Sequence, residues 1–199
     1  MVVMSLLFFI DIYHSYVMKK ERLDAITDAV LAIIVTLLVL EIKIPELTMG
    51  NTPKILQQIF VYAGSFVTIA ILWLSHHHIF VHTERICLSV VWINFFLLFA
   101  TSLIPLATAP LSEHFHERPS HIFYGLVLGL VSFLYSLLQD QNARKLKIKL
   151  KARIHWVNWL TCTLYLTSIP LSYFSIYLST AIFVFCPIMY FILSGKPIE

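Results

Sequence analysis

The chain has 199 residues, of which 59% are hydrophobic and only 13% charged, against roughly 25% charged in ordinary soluble domains. A mean hydropathy of +0.83 with 14% aromatic residues exceeds what one small core can hide, because a domain of this size leaves much of its surface in water. A soluble enzyme, a nucleic-acid module and a disordered tail are excluded, and the composition is that of an integral membrane protein. The formal charge of +3 is small, so the placement of the charges matters more than their sum.

In chain order, Met1 to Ile10 is apolar but too short to span a bilayer, and it lacks the basic n-region of a signal peptide. It reads as an interfacial or mobile segment ahead of Lys19-Lys20, which makes residues 1–20 an N-terminal extension. Charges then punctuate the remainder. None falls between Lys54 and Glu84, between Arg85 and Glu113, or between Arg118 and Asp140, and the gap from Arg153 to Lys196 holds 42 uncharged residues. A spanning helix needs ~20 apolar residues, so the last gap fits two helices joined by a tight turn at Ile169-Pro170-Leu171-Ser172. Six helical spans are predicted over 23–43, 55–82, 86–110, 121–139, 154–170 and 173–194, in one domain covering 21–199. The segments are too long, and too poor in turn signals, for the alternating strands of a barrel. Cys87, Cys162 and Cys186 lie singly in apolar runs and read as small core residues, so neither a disulfide framework nor a zinc motif is expected.

Orientation follows from Lys and Arg. With six spans, both termini share a side with the second-to-third and fourth-to-fifth connections. That side carries Lys19, Lys20, Arg22, Arg85, Arg144, Lys145, Lys147, Lys149, Lys151, Arg153 and Lys196, eleven of the fourteen basic residues, and only Lys43, Lys54 and Arg118 fall opposite. Both termini are therefore expected in the cytoplasm. The basic loop from Arg144 to Arg153 reads as a topology signal that could also touch anionic lipid.

The first span holds acids inside its predicted length, and intramembrane ionisable residues are costly enough to be functional candidates. Ile33, Leu37 and Leu40 form one apolar stripe with Thr36 on its flank. At ~100° per residue, Asp28 points ~140° away from Ile33, toward the neighbouring helices, and reads as a structural lock. The second span offers partners, because Trp73, His76 and His77 share a face; the third adds Asn94. A proton relay through Asp28 and His76, in a proton pathway or a secondary transporter, stays open. So does a metal enzyme built on His78 and His82, although no acid supplies a general base within that turn. His114, His116 and His121, with Glu113 and Glu117, read as a solvated loop.

Arg22-x-x-x-Ile26-Thr27-Asp28, followed by the run Ala29 to Ile42, resembles the first helix of the transmembrane protein 175 family, whose hallmark is Arg-x-x-x-Phe-Ser-Asp. Tyr62-Ala63-Gly64-Ser65-Phe66, Trp73-Leu74-Ser75-His76-His77, Trp92-Ile93-Asn94 and Pro105 extend the resemblance over roughly residues 19–110. Here Ile26 replaces the aromatic residue, and Thr27 keeps the hydroxyl. The resemblance implies an all-α membrane channel of six helices per subunit, in the single-unit prokaryotic form, assembled as a homotetramer around the first helix in a cell membrane. It implies potassium as the permeant ion, with other monovalent cations or protons as further candidates and with no cofactor. It assigns the pore constriction to Ile33, Leu37 and Leu40 and partly dehydrated ions to Thr36. It leaves Arg22, Thr27, Asp28, Trp73, His76, His77 and Asn94 as a polar network away from the pore.

Thr-Val-Gly-Tyr-Gly, the carbonyl filter of common potassium channels, needs glycines in that setting. Gly50, Gly64, Gly125, Gly129 and Gly195 are the five glycines, and none lies in such a segment. Selectivity must then come from pore diameter, hydroxyl groups and wetting of an apolar neck, and modest discrimination is expected.

Overall fold

A computed structural model describes residues 17–43, 45–46, 48–80, 83, 85–146 and 152–194. The expected interfacial segment at Met1–Ile10, His82 and most of the basic connection before Arg153 lie outside the described residues. Six helices carry the fold: α1 (Lys20–Leu40), α2 (Thr52–Ile79), α3 (Leu88–Glu113), α4 (Arg118–Leu146), α5 (Ala152–Phe174) and α6 (Ile176–Ser194). A 3₁₀ turn at Met49–Asn51 leads into α2, and Pro53 sits in the first turn of that helix, where its missing N–H costs nothing.

Five of the six helices are long and apolar enough to cross a membrane, and α5 is the exception. Its 23 residues suffice in length, but hydroxyl residues dilute its apolar surface. Those hydroxyls are satisfied within the helix. Thr161 and Thr163 donate to the Val157 and Trp159 carbonyls at 2.8 Å, and Ser168 and Ser172 donate to Tyr165 and Ile169 at 2.6 Å. Back-bonding of this kind is what a polar residue needs where no water can serve it.

The predicted boundaries shift by a few residues at most helix ends, and three of the differences change where named residues sit. The turn expected at Ile169–Ser172 lies instead at Ser175; Pro170 stays inside α5, and the Ser175 amide still donates to the Leu171 carbonyl at 2.9 Å. The fourth span, expected to stop at residue 139, continues to Leu146 and carries Arg144 and Lys145 in its last turn, where the helix dipole favours cations. These two basic residues and Arg153 thus belong to helices rather than to a loop. His121 also leaves the expected solvated loop: it lies in the first turns of α4 and is fully buried.

One pairing has no counterpart in the sequence reading. Val17–Lys19 (β1) and Arg85–Cys87 (β2) form a short antiparallel ribbon, with Met18 opposite Ile86. It ties the chain ahead of α1 to the chain ahead of α3, and Ile86 is buried beneath it. At the same end, Asn142 of α4 donates to the Ile79 carbonyl at 2.9 Å and to Thr83 Oγ1 at 3.2 Å, closing the C-terminus of α2. Asp140 faces His155 at 3.1 Å across α4 and α5, and Asn158 donates to Gln139 one turn deeper.

The core runs along α3 and α4. Val90, Leu97, Ala100, Ile104 and Ala107 of α3 meet Tyr124, Leu128, Tyr135 and Leu138 of α4. Gly125 and Gly129, one turn apart, let α5 approach α4 closely, as small residues do between membrane helices. A Cβ at Gly125 would lie 2.7 Å from Ser168 Oγ, and one at Gly129 would lie 2.7 Å from Leu166 Cδ2.

Candidate functional site

α1 is a helix with two unlike faces. Leu23, Thr27, Leu31, Ile34 and Leu38 are buried against α2 and α3. The opposite face carries Ile33, Leu37 and Leu40, which are 58%, 45% and 76% exposed. Thr36 lies on that exposed face, and its hydroxyl donates to the Ile33 carbonyl at 2.7 Å. The hydroxyl oxygen keeps its lone pairs for a further partner.

Behind α1 stands a chain of polar side chains across three helices. His76 Nε2 lies 2.7 Å from Asn94 Oδ1, and Asn94 Nδ2 donates to Thr27 Oγ1 at 3.0 Å. All three residues are buried. Since the Asn94 carbonyl oxygen can only accept, Nε2 carries the imidazole proton. The His76 ring also packs against Phe80 at 5.1 Å.

Asp28 joins a different partner. Trp73 donates its indole N–H to Asp28 Oδ1 at 2.7 Å, at an exposed edge where the Trp73 ring is itself 47% exposed. Helical rotation separates the two pairs: a step of ~100° turns Asp28 off the axis on which Thr27 faces α3. The same rotation turns Arg22 and His77 outward. Both are exposed, and neither side chain hydrogen-bonds or forms an ion pair with the described residues; the His77 ring lies 6.1 Å from that of His78. The expected single network is therefore two separate contacts, one buried and one at the edge, without Arg22 and His77.

Ser65, Thr108 and Tyr124 form a buried hydroxyl cluster that sequence reasoning missed. Ser65 Oγ lies 2.9 Å from Thr108 Oγ1 and 2.8 Å from Tyr124 Oη, which joins α2, α3 and α4. Only the place of Ser65 in an otherwise apolar run signalled it. Among the described residues no group of three or more His, Cys, Asp or Glu side chains is arranged to hold a metal ion. His114 is engaged instead by Glu117 at 3.1 Å and lies 4.0 Å from Glu113.

Comparison with known proteins bears on this arrangement. Residues 22–105 match the family described as endosomal/lysosomal potassium channel TMEM175. A protein of Chryseobacterium sp. (strain P1-3), named a potassium channel, is 34% identical over 188 residues, covering 92% of this chain and 97% of that one. The endosomal/lysosomal proton channel TMEM175 of Gallus gallus is 30% identical over 64% of this chain, but the match takes in only 28% of that longer protein. The crystal structure of a lysosomal potassium-selective channel TMEM175 homolog from Chamaesiphon minutus superposes with a TM-score of 0.74 at 26% identity, over 88% of this chain and 98% of that one. The six-helix architecture, the motif-bearing first helix and a relative matched along nearly its whole length place this chain in the TMEM175 family of membrane ion channels.

Proposed function

We propose that the chain is a potassium-preferring cation channel whose conduction pathway is lined by α1 from four copies around one axis. The exposed stripe of Ile33, Leu37 and Leu40 carries this reading. It is an apolar seam of the protomer that one copy cannot close into a conduit, and cyclic symmetry closes it. Stacked rings of these side chains form a hydrophobic constriction, which resists water and gates by wetting. Thr36, beside the first ring, offers a hydroxyl oxygen to an ion that has shed part of its water. Residues 21–199 act as one channel unit, and 1–20 are an extension to it. Eleven of fourteen basic residues near one set of helix ends support cytoplasmic termini in a cell membrane.

A bilayer recording of purified protein, with potassium and sodium on opposite sides, tests the reading. The expected reversal potential favours potassium. Ile33→Asn should wet the narrowest ring, raise cation flux and weaken selectivity. A variant that conducts no better than its parent at equal reconstitution removes the ring assignment. A stable and active monomer or dimer, by mass measurement in nanodiscs, removes the tetramer.

Proton conduction is the second reading. Vertebrate relatives are named proton channels, and the chain of polar groups from His76 through Asn94 to Thr27 runs behind the same helix. Flux that follows a pH gradient in the absence of potassium identifies it.

A further inference from the structure

At the opposite end from His76, His121 is fully enclosed where α4 and α6 begin. Its Nδ1 lies 3.2 Å from the Glu117 carbonyl oxygen, and its Nε2 lies 3.1 Å from Thr180 Oγ1. A carbonyl oxygen only accepts, so Nδ1 holds a proton in every protonation state compatible with this geometry. Thr180 Oγ1 also lies 3.0 Å from the Ile176 carbonyl. One hydroxyl proton thus faces two acceptors, the Nε2 lone pair of a neutral ring and the Ile176 oxygen. It can satisfy only one of them.

A second proton on the ring resolves the conflict. Nε2–H then donates to Thr180 Oγ1, the hydroxyl proton turns to Ile176, and all three contacts are made together. We propose that His121 and Thr180 form a proton-binding clasp between α4 and α6, in which uptake of one proton at Nε2 rotates the Thr180 hydroxyl onto the Ile176 carbonyl and draws the two helix starts together.

Two aromatic rings enclose the imidazole. Phe115 meets the imidazole edge-on at 5.3 Å and Phe183 stacks on it at 6.2 Å. Burial between these rings disfavours a charge, so the hydrogen bonds to the Glu117 carbonyl and Thr180 Oγ1 are what hold the second proton. The titratable and charged groups on this side are Glu113 at the end of α3 with its partner Lys43 at 3.2 Å, His114, His116 and Glu117 of the α3–α4 connection, and Arg118 of α4 itself. From α6 the turn Ile176–Phe183 contributes only Tyr177, which is exposed. His116, Glu117 and Arg118 are also exposed, so protons reach the solvent within about one helical turn of the ring.

Histidine-labelled full-length protein in nanodiscs tests the clasp by ring-nitrogen NMR, with His121→Gln assigning the signal. At alkaline pH the ring should be the Nδ1–H tautomer, the rarer form of free histidine, and it should take up a second proton as the pH is lowered. Thr180→Val removes the acceptor for Nε2–H and should move the double protonation about one pH unit further into acid, while Thr180→Ser should restore the parent behaviour. An Nε2–H tautomer at high pH, a ring that never takes the second proton, or identical titration in Thr180→Val would each overturn the clasp. The parent spectrum decides the tautomer and the second proton even if the valine variant folds poorly.

Discussion

Trp73 reaches Asp28 across 2.7 Å from the next helix, yet Thr27, one residue earlier, faces a different helix altogether and is bonded to Asn94. The boundary between the exposed edge and the buried interior therefore falls between adjacent residues of α1. A carboxylate at the edge is not the fully enclosed charge whose loss costs roughly 3–5 kcal/mol. Within one protomer its contact is worth about 1.5 kcal/mol, the lower range for a hydrogen bond to a charged group.

The Asp28 pair can be tested with two variants. Asp28→Asn keeps an oxygen for the indole N–H and should melt close to the parent, whereas Asp28→Ala and Trp73→Phe should each lose about 1.5 kcal/mol. Size-exclusion melts provide the measurement. A much larger loss in Asp28→Ala, with collapse of the oligomer, would show that a neighbouring subunit encloses the carboxylate. A well-assembled Asp28→Ala with changed ion preference would move Asp28 from the scaffold to the permeation path.

Asn94 carries the heavier duty. Its amide bridges His76 and Thr27 with both of its polar atoms, and all three residues are out of reach of water. Asn94→Leu fills similar space but strands an imidazole N–H and a hydroxyl, each costing about 1–3 kcal/mol when buried without a partner. The expected result is a protein that expresses poorly and melts markedly earlier than any Asp28 variant. Thr27→Val leaves the His76–Asn94 bond intact and should cost less than Asn94→Leu. Equal stability of Asn94→Leu and the parent would show that the bridge holds nothing.

Much of this architecture is legible in the sequence because hydrocarbon imposes a simple rule. Charge-free gaps of the right length must be helices: the charges delimit four such gaps, the length of the last makes it two helices, and the apolar run Ala29 to Leu40 adds the first span. The rotation of Thr27 against Ile33 is also readable, since both lie on one uninterrupted helix. Contacts that depend on how two helices are turned toward each other are not. Trp73, His76 and His77 share a face by spacing, but only the packed structure separates them into an edge contact, a buried bridge and an outward ring. The ribbon of Val17–Lys19 with Arg85–Cys87 escapes for a related reason: three-residue strands carry no periodicity, and their pairing joins segments far apart in the chain.

Tyr124 offers a test of the hydroxyl cluster that links α2, α3 and α4. Tyr124→Phe removes one partner of Ser65, which retains Thr108 at 2.9 Å and its own Val61 carbonyl at 3.1 Å. The remaining groups stay paired, so the loss should be near the ordinary net worth of one hydrogen bond, about 1 kcal/mol. Ser65→Val strands the buried Tyr124 hydroxyl, while Thr108 keeps its bond to the Ile104 carbonyl at 2.8 Å, and it should cost more than Tyr124→Phe. Thermal melts of the two variants rank them, and a reversed order would place the organising atom of the cluster on Tyr124 instead of Ser65.

Gly125 and Gly129 look equivalent in sequence, four residues apart on α4, but their neighbours respond differently to a methyl group. At Gly129 the new Cβ would meet the end of the Leu166 side chain, which is half-exposed and free to swing outward. Alanine there also gains helix propensity worth up to about 1 kcal/mol over glycine. At Gly125 the Cβ would meet Ser168 Oγ at 2.7 Å and Ile169 Cγ1 at 3.3 Å. Ser168 is fully buried, and its hydroxyl is committed to the Tyr165 carbonyl at 2.6 Å. Moving it breaks a hydrogen bond that nothing replaces, and overpacking of this kind costs about 1–3 kcal/mol. Gly129→Ala should therefore be neutral or slightly stabilising, and Gly125→Ala destabilising, when melting is followed for both in the same detergent. The double variant Gly125→Ala with Ser168→Ala removes the obstructing oxygen and should recover most of the loss, which a general intolerance of α4 to side chains would not allow.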